Sequence, residues 1–394
     1  MPSIRTGLDV LVSKNFAPLR GLKVGLVTHP AAVDARLRHT IDLLAEAEGV
    51  HLARIFGPEH GLRGQAQDLA SVPAEIGPGN SPKLISLYGE TVASLHPISE
   101  HLLDLDALVI DLQDVGSRYY TFQATMLYCL EAALPRGLQV FVLDRPNPLG
   151  GVAVEGPGLQ PGYESFVGPH DIATRHGLTM GELALLYENE RDITGGELRI
   201  IPCEGWRRGM FWDQTGLPWV LPSPNMPTIE TAFVYPGQCL LEGTNLSEGR
   251  GTTRPFELCG APWLDATKLA SRLDNEDLPG VIFRPAWFRP TFQKHAGVDC
   301  GGVQLHVTDR REFQPVRTGL SVLAALRELS AENFRWRTET YEFVDEPIAI
   351  DLLFGSDRER SALEGRRPPG EIFAAWQGEE RAFGERRRAF LLYD

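Results

Sequence analysis

The feature that most constrains this chain is an alternation. From the start to about residue 205, short aliphatic or β-branched runs take turns with longer segments of helical period. Strands joined through helices lie parallel, because only a connection of helical length returns the chain to the same end of a sheet. Strands are predicted over Lys23 to Thr28, His51 to Phe56, Lys83 to Leu87, Ala107 to Leu112 and Gln139 to Leu143, with a further one over Glu197 to Pro202. Between them, His39 to Ala47, Pro97 to Leu103 and Tyr120 to Leu134 read as helices. The last places Phe122, Met126, Leu127, Leu130 and Leu134 on one face, as a helix covering a sheet requires. Thr179 to Asn189 adds a helix whose Thr179 and Glu182 have capping-box spacing.

After about residue 205 the texture changes. Proline, tryptophan and glycine crowd Trp206 to Pro262, which reads as a long structured crossing. Beyond it, Ala266 to Leu273 and Ser321 to Leu329 read as helices, and Val281 to Pro285, Gly302 to Thr308 and Tyr341 to Val344 as strands. The expected fold is α/β: a Rossmann-like parallel-sheet domain over residues 1–228, lacking a dinucleotide site, then a smaller α+β domain over residues 229–394. A length of 394 residues suits two such units with a cleft between them.

Composition removes several functions. A net charge of −14 works against the cationic surface that nucleic acid requires. No lysine follows a glycine, so there is no P-loop. No Gly-x-Gly-x-x-Gly follows the first strand, and neither Gly-x-Ser-x-Gly nor His-Glu-x-x-His occurs. The cysteines, Cys129, Cys203, Cys239, Cys259 and Cys300, have neither disulfide-framework nor zinc-finger spacing. Neither a signal-peptide h-region nor a run long enough to span a membrane is present, and the expected location is cytoplasmic. No cofactor, metal or membrane partner is expected.

Open α/β sheets bind ligands beyond the carboxyl ends of their strands. Here those ends carry Thr28-His29-Pro30, Gly57-Pro58-Glu59-His60-Gly61, Asp111-Leu112-Gln113-Asp114 and Asp144-Arg145-Pro146-Asn147. Pro58 and the flanking glycines shape a rigid loop suited to presenting Glu59 and His60, whereas Asp111 and Asp144 could equally bind backbone amides. A second polar segment runs from Glu242 to Thr253. Its glycines allow close approach, and Asn245, Ser247, Arg250, Thr252 and Thr253 offer donors and acceptors suited to a polyhydroxylated ligand. Tyr119, Tyr120, Trp219, Trp263, Trp287 and Phe288 lie near these segments in sequence and could stack on sugar or fill the core. Carboxylate acid/base chemistry leads. A non-catalytic saccharide-binding protein and a metal-dependent hydrolase built on Glu59, His60, Asp111 and Asp144 stand as alternatives.

The blocks Phe56-Gly-Pro-Glu-His-Gly-Leu-Arg-Gly64, Asp111-Leu-Gln-Asp-Val-Gly-Ser-Arg-Tyr-Tyr-Thr121, Leu143-Asp-Arg-Pro-Asn-Pro-Leu-Gly-Gly151, Ser223-Pro-Asn-Met-Pro227, Glu242 to Thr253, Gly260-Ala-Pro-Trp263 and Phe390-Leu-Leu-Tyr393 resemble the NamZ-type exo-β-N-acetylmuramidases, glycoside hydrolase family 171. The resemblance spans nearly the whole chain. It implies an active cleft between the two domains and release of N-acetylmuramic acid from the non-reducing end of peptidoglycan fragments such as MurNAc-GlcNAc. It also implies that the glutamate of Gly-Pro-Glu-His-Gly, here Glu59, is catalytic. Many members are exported, and the absence of a signal peptide points instead to imported muropeptide sugars.

Such cleavage needs an acid for the leaving oxygen and a second group at the oxocarbenium-like centre. Glu59 is expected as the acid, with His60 orienting it or binding a hydroxyl. Asp111, Asp114, Asp144, Glu242, Glu248 or the substrate's own acetamido group could be the second group. The lactyl carboxylate calls for a guanidinium, and Arg63, Arg118 and Arg250 are the candidates. Tyr119, Asn225, Asn245, Ser247 and Thr252 complete the expected sugar-binding set.

Overall fold

The computed structural model describes residues 4–67, 70–71 and 82–394. Six parallel strands, β1 (Lys23–Thr28), β2 (His51–Gly57), β3 (Lys83–Ser86), β4 (Ala107–Asp111), β5 (Gln139–Leu143) and β6 (Glu197–Ile201), form one sheet in the order β3-β2-β1-β4-β5-β6. β1 pairs on one side with β2, Val27 opposite Phe56, and on the other with β4, Thr28 opposite Asp111. The strand order reverses at that point, which opens a crevice at the carboxyl ends of β1 and β4.

Both faces of the sheet are covered, so its strands are apolar at nearly every position rather than alternating. Alternate residues serve different cores. Leu108, Ile110, Val140 and Val142 pack with Met126, Leu127 and Leu130 of the helix Phe122–Ala133. Val109, Phe141 and Leu143 pack on the other face with Leu8 and Leu11 of the helix Gly7–Ser13 and Leu43 and Leu44 of the helix Thr40–Glu46. Each such aliphatic side chain, fully buried, contributes about 1.5–3 kcal/mol.

The second part is built on β7 (Leu258–Ala261), β8 (Val281–Phe288) and β9 (Cys300–Val307), an antiparallel sheet in the order β7-β9-β8. The helix Ala266–Asp274, capped by Asp265, packs against it, and the helix Pro315–Ser330 packs on that helix. All five cysteines are free and buried. Among the described residues, no helix is long and apolar enough to cross a membrane.

The short helices Gly7–Ser13, Ala349–Phe354 and Arg358–Glu364 were not expected, and three further elements differ from the sequence reading. The segment Trp206 to Pro262 contains the helix Ile229–Gln238, capped by Thr228, despite an internal Pro236. It holds through tertiary packing: Gly237 abuts Gly319 of the helix Pro315–Ser330 so closely that a Cβ at Gly319 would lie 2.3 Å from the Gly237 Cα. The short β7 was missed because its Gly260 breaks the apolar pattern. At this position a Cβ would meet the Gly301 carbonyl at 2.2 Å. Tyr341 to Val344, expected as a strand, is a tight reversal. Tyr341 and Val344 exchange two backbone hydrogen bonds of 2.9 Å, and Glu342 and Phe343 sit at φ +47° and +67°.

Candidate active site

The crevice between β1 and β4 is filled by the protein itself. Asp111 is fully buried and takes a two-pronged contact from Arg145, Nε to Oδ1 at 2.5 Å and a terminal nitrogen to Oδ2 at 3.0 Å, while the Thr40 hydroxyl donates to the same carboxylate. Beside it, His29 Nε2 accepts from the Gln113 N–H at 2.9 Å, and its Nδ1 lies 3.3 Å from the Pro222 carbonyl. A ring accepting at one nitrogen and facing a carbonyl with the other is neutral. Burial, reinforced by Arg145, lowers its pKa to about 3. About 10 Å³ of open space remains next to Arg145 and Gln113.

A pocket of about 40 Å³ lies at the end of β2. Glu59, His60, Tyr119, Tyr120, Thr121, Ser223, Asn225 and Met226 line it from the amino-terminal part of the chain; Tyr235, Glu242, Arg250, Phe256, Tyr341 and Glu342 line it from the carboxyl-terminal part. Glu59 is 5% exposed and accepts a 2.6 Å hydrogen bond from the Thr121 hydroxyl. Thr121 occupies the N-cap position of the helix Phe122–Ala133 but makes no side-chain cap there, so its hydroxyl serves the carboxylate. His60 adopts φ +69°. Its Nδ1 lies 2.9 Å from the Ala66 carbonyl, which in the neutral ring puts the proton on Nδ1 and makes Nε2 the acceptor. The Gly61 and Gly64 amides close two successive turns of this loop onto the Pro58 and Gly61 carbonyls.

On the facing side, Glu242 Oε1 takes Arg250 at 2.6 Å and its Oε2 accepts from the Tyr341 hydroxyl at 2.8 Å. Burial alone would raise this carboxyl, but Arg250, helped by Tyr341 and Lys294, outweighs it and holds the group below the usual range. Arg250 also lies 3.3 Å from Glu248 and over the Phe256 ring at 5.0 Å. Glu248 in turn bonds Lys294 at 2.9 Å. Two cations and two carboxylates thus form one network, buried except at Lys294.

The pocket unites Glu59, His60, Tyr119, Asn225, Glu242 and Arg250. Tyr119 presents its ring, since its hydroxyl donates to the Pro236 carbonyl. Asn225 donates to Gln67 at 2.8 Å. The other expected residues stand elsewhere, for definite reasons. Asp111 is committed to Arg145. Asp144, also fully buried, accepts from the Gly181 N–H at 2.8 Å, Thr179 at 2.7 Å and Tyr393 at 2.5 Å, tying the start of the helix Met180–Glu190 to the carboxyl-terminal segment. Burial raises its pKa to about 6. Asp114 accepts from the Gly116 amide at 2.5 Å and shapes a turn. Arg118 is fully buried and donates to four carbonyls, of Pro157, Ile172, Leu353 and Phe354, at 2.7–3.0 Å. It clamps the two halves together. Arg63 is exposed on the Glu59 loop and does not line the pocket.

On the glycine-rich segment, Asn245 donates to the Asn333 carbonyl at 2.8 Å and accepts from the Arg335 amide at 3.0 Å. Ser247 accepts from the Gly249 amide, and Thr252 donates to the Gly249 carbonyl, so both shape the local turn. Glu248 supports Arg250 from behind. Of the aromatics, Tyr119 and Tyr120 line the pocket, Trp219 and Trp263 pack on the core, and Trp287 is 69% exposed. Among the described residues, no three His, Cys, Asp or Glu side chains stand in a metal-ligating cluster.

Sequence reasoning missed Thr121, Tyr341 and Glu342 as site residues. Thr121 closes a quoted block and could have been found from its helix-start position. Glu342 had no local signal. It is 5% exposed, accepts from the Tyr88 hydroxyl at 3.0 Å, and sits in a left-handed conformation that neither Glu nor Phe favours.

Comparison with known proteins decides what such a cleft belongs to. Residues 24–230 match the family model described as exo-β-N-acetylmuramidase NamZ, N-terminal, and residues 233–393 the corresponding C-terminal model. The chain belongs to the NamZ family. It is 44% identical over 392 residues to the peptidoglycan β-N-acetylmuramidase NamZ of Bacillus subtilis (strain 168), covering 100% of this chain and 92% of that protein. Two crystal structures of DUF1343 family proteins from Bacteroides fragilis NCTC 9343 share the fold. One has a TM-score of 0.88 at 34% identity with both chains fully covered, the other 0.78 at 27% with 99% of each covered. This NamZ-family chain is accordingly a glycosidase.

Proposed function

We propose that this chain releases N-acetylmuramic acid from the non-reducing end of peptidoglycan fragments such as MurNAc-GlcNAc, in cell-wall turnover or recycling, with Glu59 as the general acid. The observation that carries the reading is the placement of Glu59: buried, aimed by the Thr121 hydroxyl, and lining a pocket closed by the two units we propose, residues 1–228 and 229–394. A carboxyl group so held can protonate the leaving oxygen without water competing for it. His60 Nε2 is suited to accept from a sugar hydroxyl, and Tyr119 and Tyr120 offer ring faces and edges to the pyranose.

Arg250 is the arginine of the three candidates that lines the pocket, and we assign it the lactyl carboxylate. Glu242 and Glu248 hold its guanidinium in place, so binding requires little reordering. Glu342, in the same pocket, is the second acidic group assigned to the reaction centre, in place of Asp111 and Asp144.

The test is hydrolysis of a chromogenic N-acetylmuramic acid β-glycoside beside its N-acetylglucosamine counterpart, by wild type and Arg250→Lys. Lysine keeps the charge facing Glu242 but loses the planar fork. The preference for the muramyl substrate should fall roughly tenfold, the equivalent of one charge-assisted hydrogen bond. Equal hydrolysis of both substrates by wild type would refute the substrate assignment, and an unchanged preference in Arg250→Lys would refute the role of Arg250.

A further inference from the structure

A second cleft, well separated in composition from the catalytic pocket, opens in the carboxyl-terminal half. It encloses about 1070 Å³ between the end of the helix Ala266–Asp274, the end of the helix Pro315–Ser330, the run Phe334 to Trp336, and the link Leu363 to Gly370. That is at the upper end of the roughly 300–1,000 Å³ typical of ligand sites. Its lining carries five arginines against three glutamates, on a protein of net charge −14.

The charge is available to a ligand. Arg272 is committed to Glu276 and Glu328 at 2.5 and 3.0 Å, a group that keeps one net negative charge and offers no cation to a ligand. Arg327 and Arg335 direct their guanidinium groups at backbone carbonyls, of Leu363 at 2.8 Å and Phe334 at 2.7 Å, which orient the groups without cancelling their charge. Arg366 and Arg367 are exposed on the rim, and Arg366 is held at φ +56°, a conformation that a flexible surface arginine rarely adopts. Between these cations lie apolar groups: half-buried Trp336 stands edge to face on buried Phe334 at 4.7 Å, and exposed Pro368 lines the cleft with buried Leu363 and Pro369 beneath.

We propose that this cleft binds a short acidic peptide, its carboxylates on Arg335, Arg366 and Arg367 and its apolar groups on Trp336 and Pro368. Guanidinium groups match carboxylates bidentately. The apolar lining favours a peptide over a polyphosphate chain, whose uniformly hydrated surface would gain nothing there. The cleft is also joined to the catalytic pocket by one strip of chain. Asn245 pairs with Arg335 through both backbone and side chain, the Arg337 amide donates to the Gly243 carbonyl at 2.9 Å, and the same run continues to Tyr341, which bonds Glu242.

The proposal goes beyond the catalytic reading and is tested by binding alone, with calorimetric titration of Ala-Glu-Glu and Ala-Gln-Gln into wild type, Glu59→Gln and the double variant Arg366→Gln/Arg367→Gln. Both substituted arginines are exposed, so the fold should persist, as a melting curve verifies. Ala-Glu-Glu should bind wild type and Glu59→Gln alike. Ala-Gln-Gln, and Ala-Glu-Glu on the double variant, should each bind about tenfold more weakly. Failure of Ala-Glu-Glu to bind, or equal affinity for the double variant, would overturn the proposal. Tighter binding of inorganic tripolyphosphate than of the acidic peptide would overturn it too, by assigning the cleft to phosphate chemistry.

Discussion

Glu59 and Asp111 are both carboxylates at the carboxyl ends of strands in one sheet, and the fold treats them in opposite ways. Asp111 lies at the point of order reversal, where a Rossmann-like sheet ordinarily receives its ligand. There it is neutralised by Arg145 and Thr40, with neutral His29 packed alongside. Glu59, past the end of β2 on the other side of β1, accepts from the Thr121 hydroxyl and lines a pocket. The difference teaches that position at a strand end marks a place where chemistry can be put, while the partners decide whether it is. A carboxylate bound bidentately to arginine in a dry interior is a structural part. One held by a hydroxyl at a pocket wall can exchange a proton with a ligand.

The sharpest way to break this contrast is to neutralise the buried member. Asp111→Asn leaves Arg145 charged and unpaired in the interior and should reduce stability by about 3–5 kcal/mol, measured by denaturant unfolding. A loss below about 1 kcal/mol would mean that the pair is not the structural tie described. The same crevice predicts an acid limb. His29 stays neutral in the fold down to about 3, whereas in the unfolded chain it titrates near 6.5. Its contribution is therefore complete above pH 6.5 and is lost as pH falls from 6.5 toward 3, by about 1.4 kcal/mol per pH unit. Asp144 acts in the opposite sense: its folded value near 6 lies above the ordinary 3.8, so its contribution falls as pH rises from 3.8 to 6. His29→Gln should flatten the acid limb relative to wild type, and an unaltered profile would place that titration elsewhere. The smallest effect is expected on the open side of the pocket. Tyr341→Phe removes one donor from Glu242, whose Arg250 partner remains, and should lower stability by about 1–2 kcal/mol. A larger loss would show that Glu242 depends on Tyr341 more than on Arg250.

The parallel sheet was readable because its strands are continuous apolar runs separated by helical periods, and β1, β5 and the N-terminal part of β8 fall where the residues predict. The helix Ile229–Gln238 was not, because its stability comes from the contact of Gly237 with Gly319, more than eighty residues away in the chain, and its Pro236 argues locally against it. The site divides in the same way. Glu59 and His60 were legible as unusual residues between turn formers, and Glu242 and Arg250 as polar residues among glycines. Arg118 misled because an arginine's sequence neighbours do not reveal that four carbonyls will surround it. Glu342 was invisible because its only mark, a left-handed backbone, is imposed by tertiary structure against residue preference.

The central claim is tested most directly by the turnover number of Glu59→Gln on a chromogenic N-acetylmuramic acid β-glycoside, corrected for folded fraction and set beside Asp111→Asn treated the same way. The account predicts a loss on the order of 10²–10⁴-fold for Glu59→Gln at unchanged melting temperature, and near wild-type turnover per folded molecule for Asp111→Asn. Wild-type turnover in Glu59→Gln, or a comparable per-molecule loss in Asp111→Asn, would contradict it.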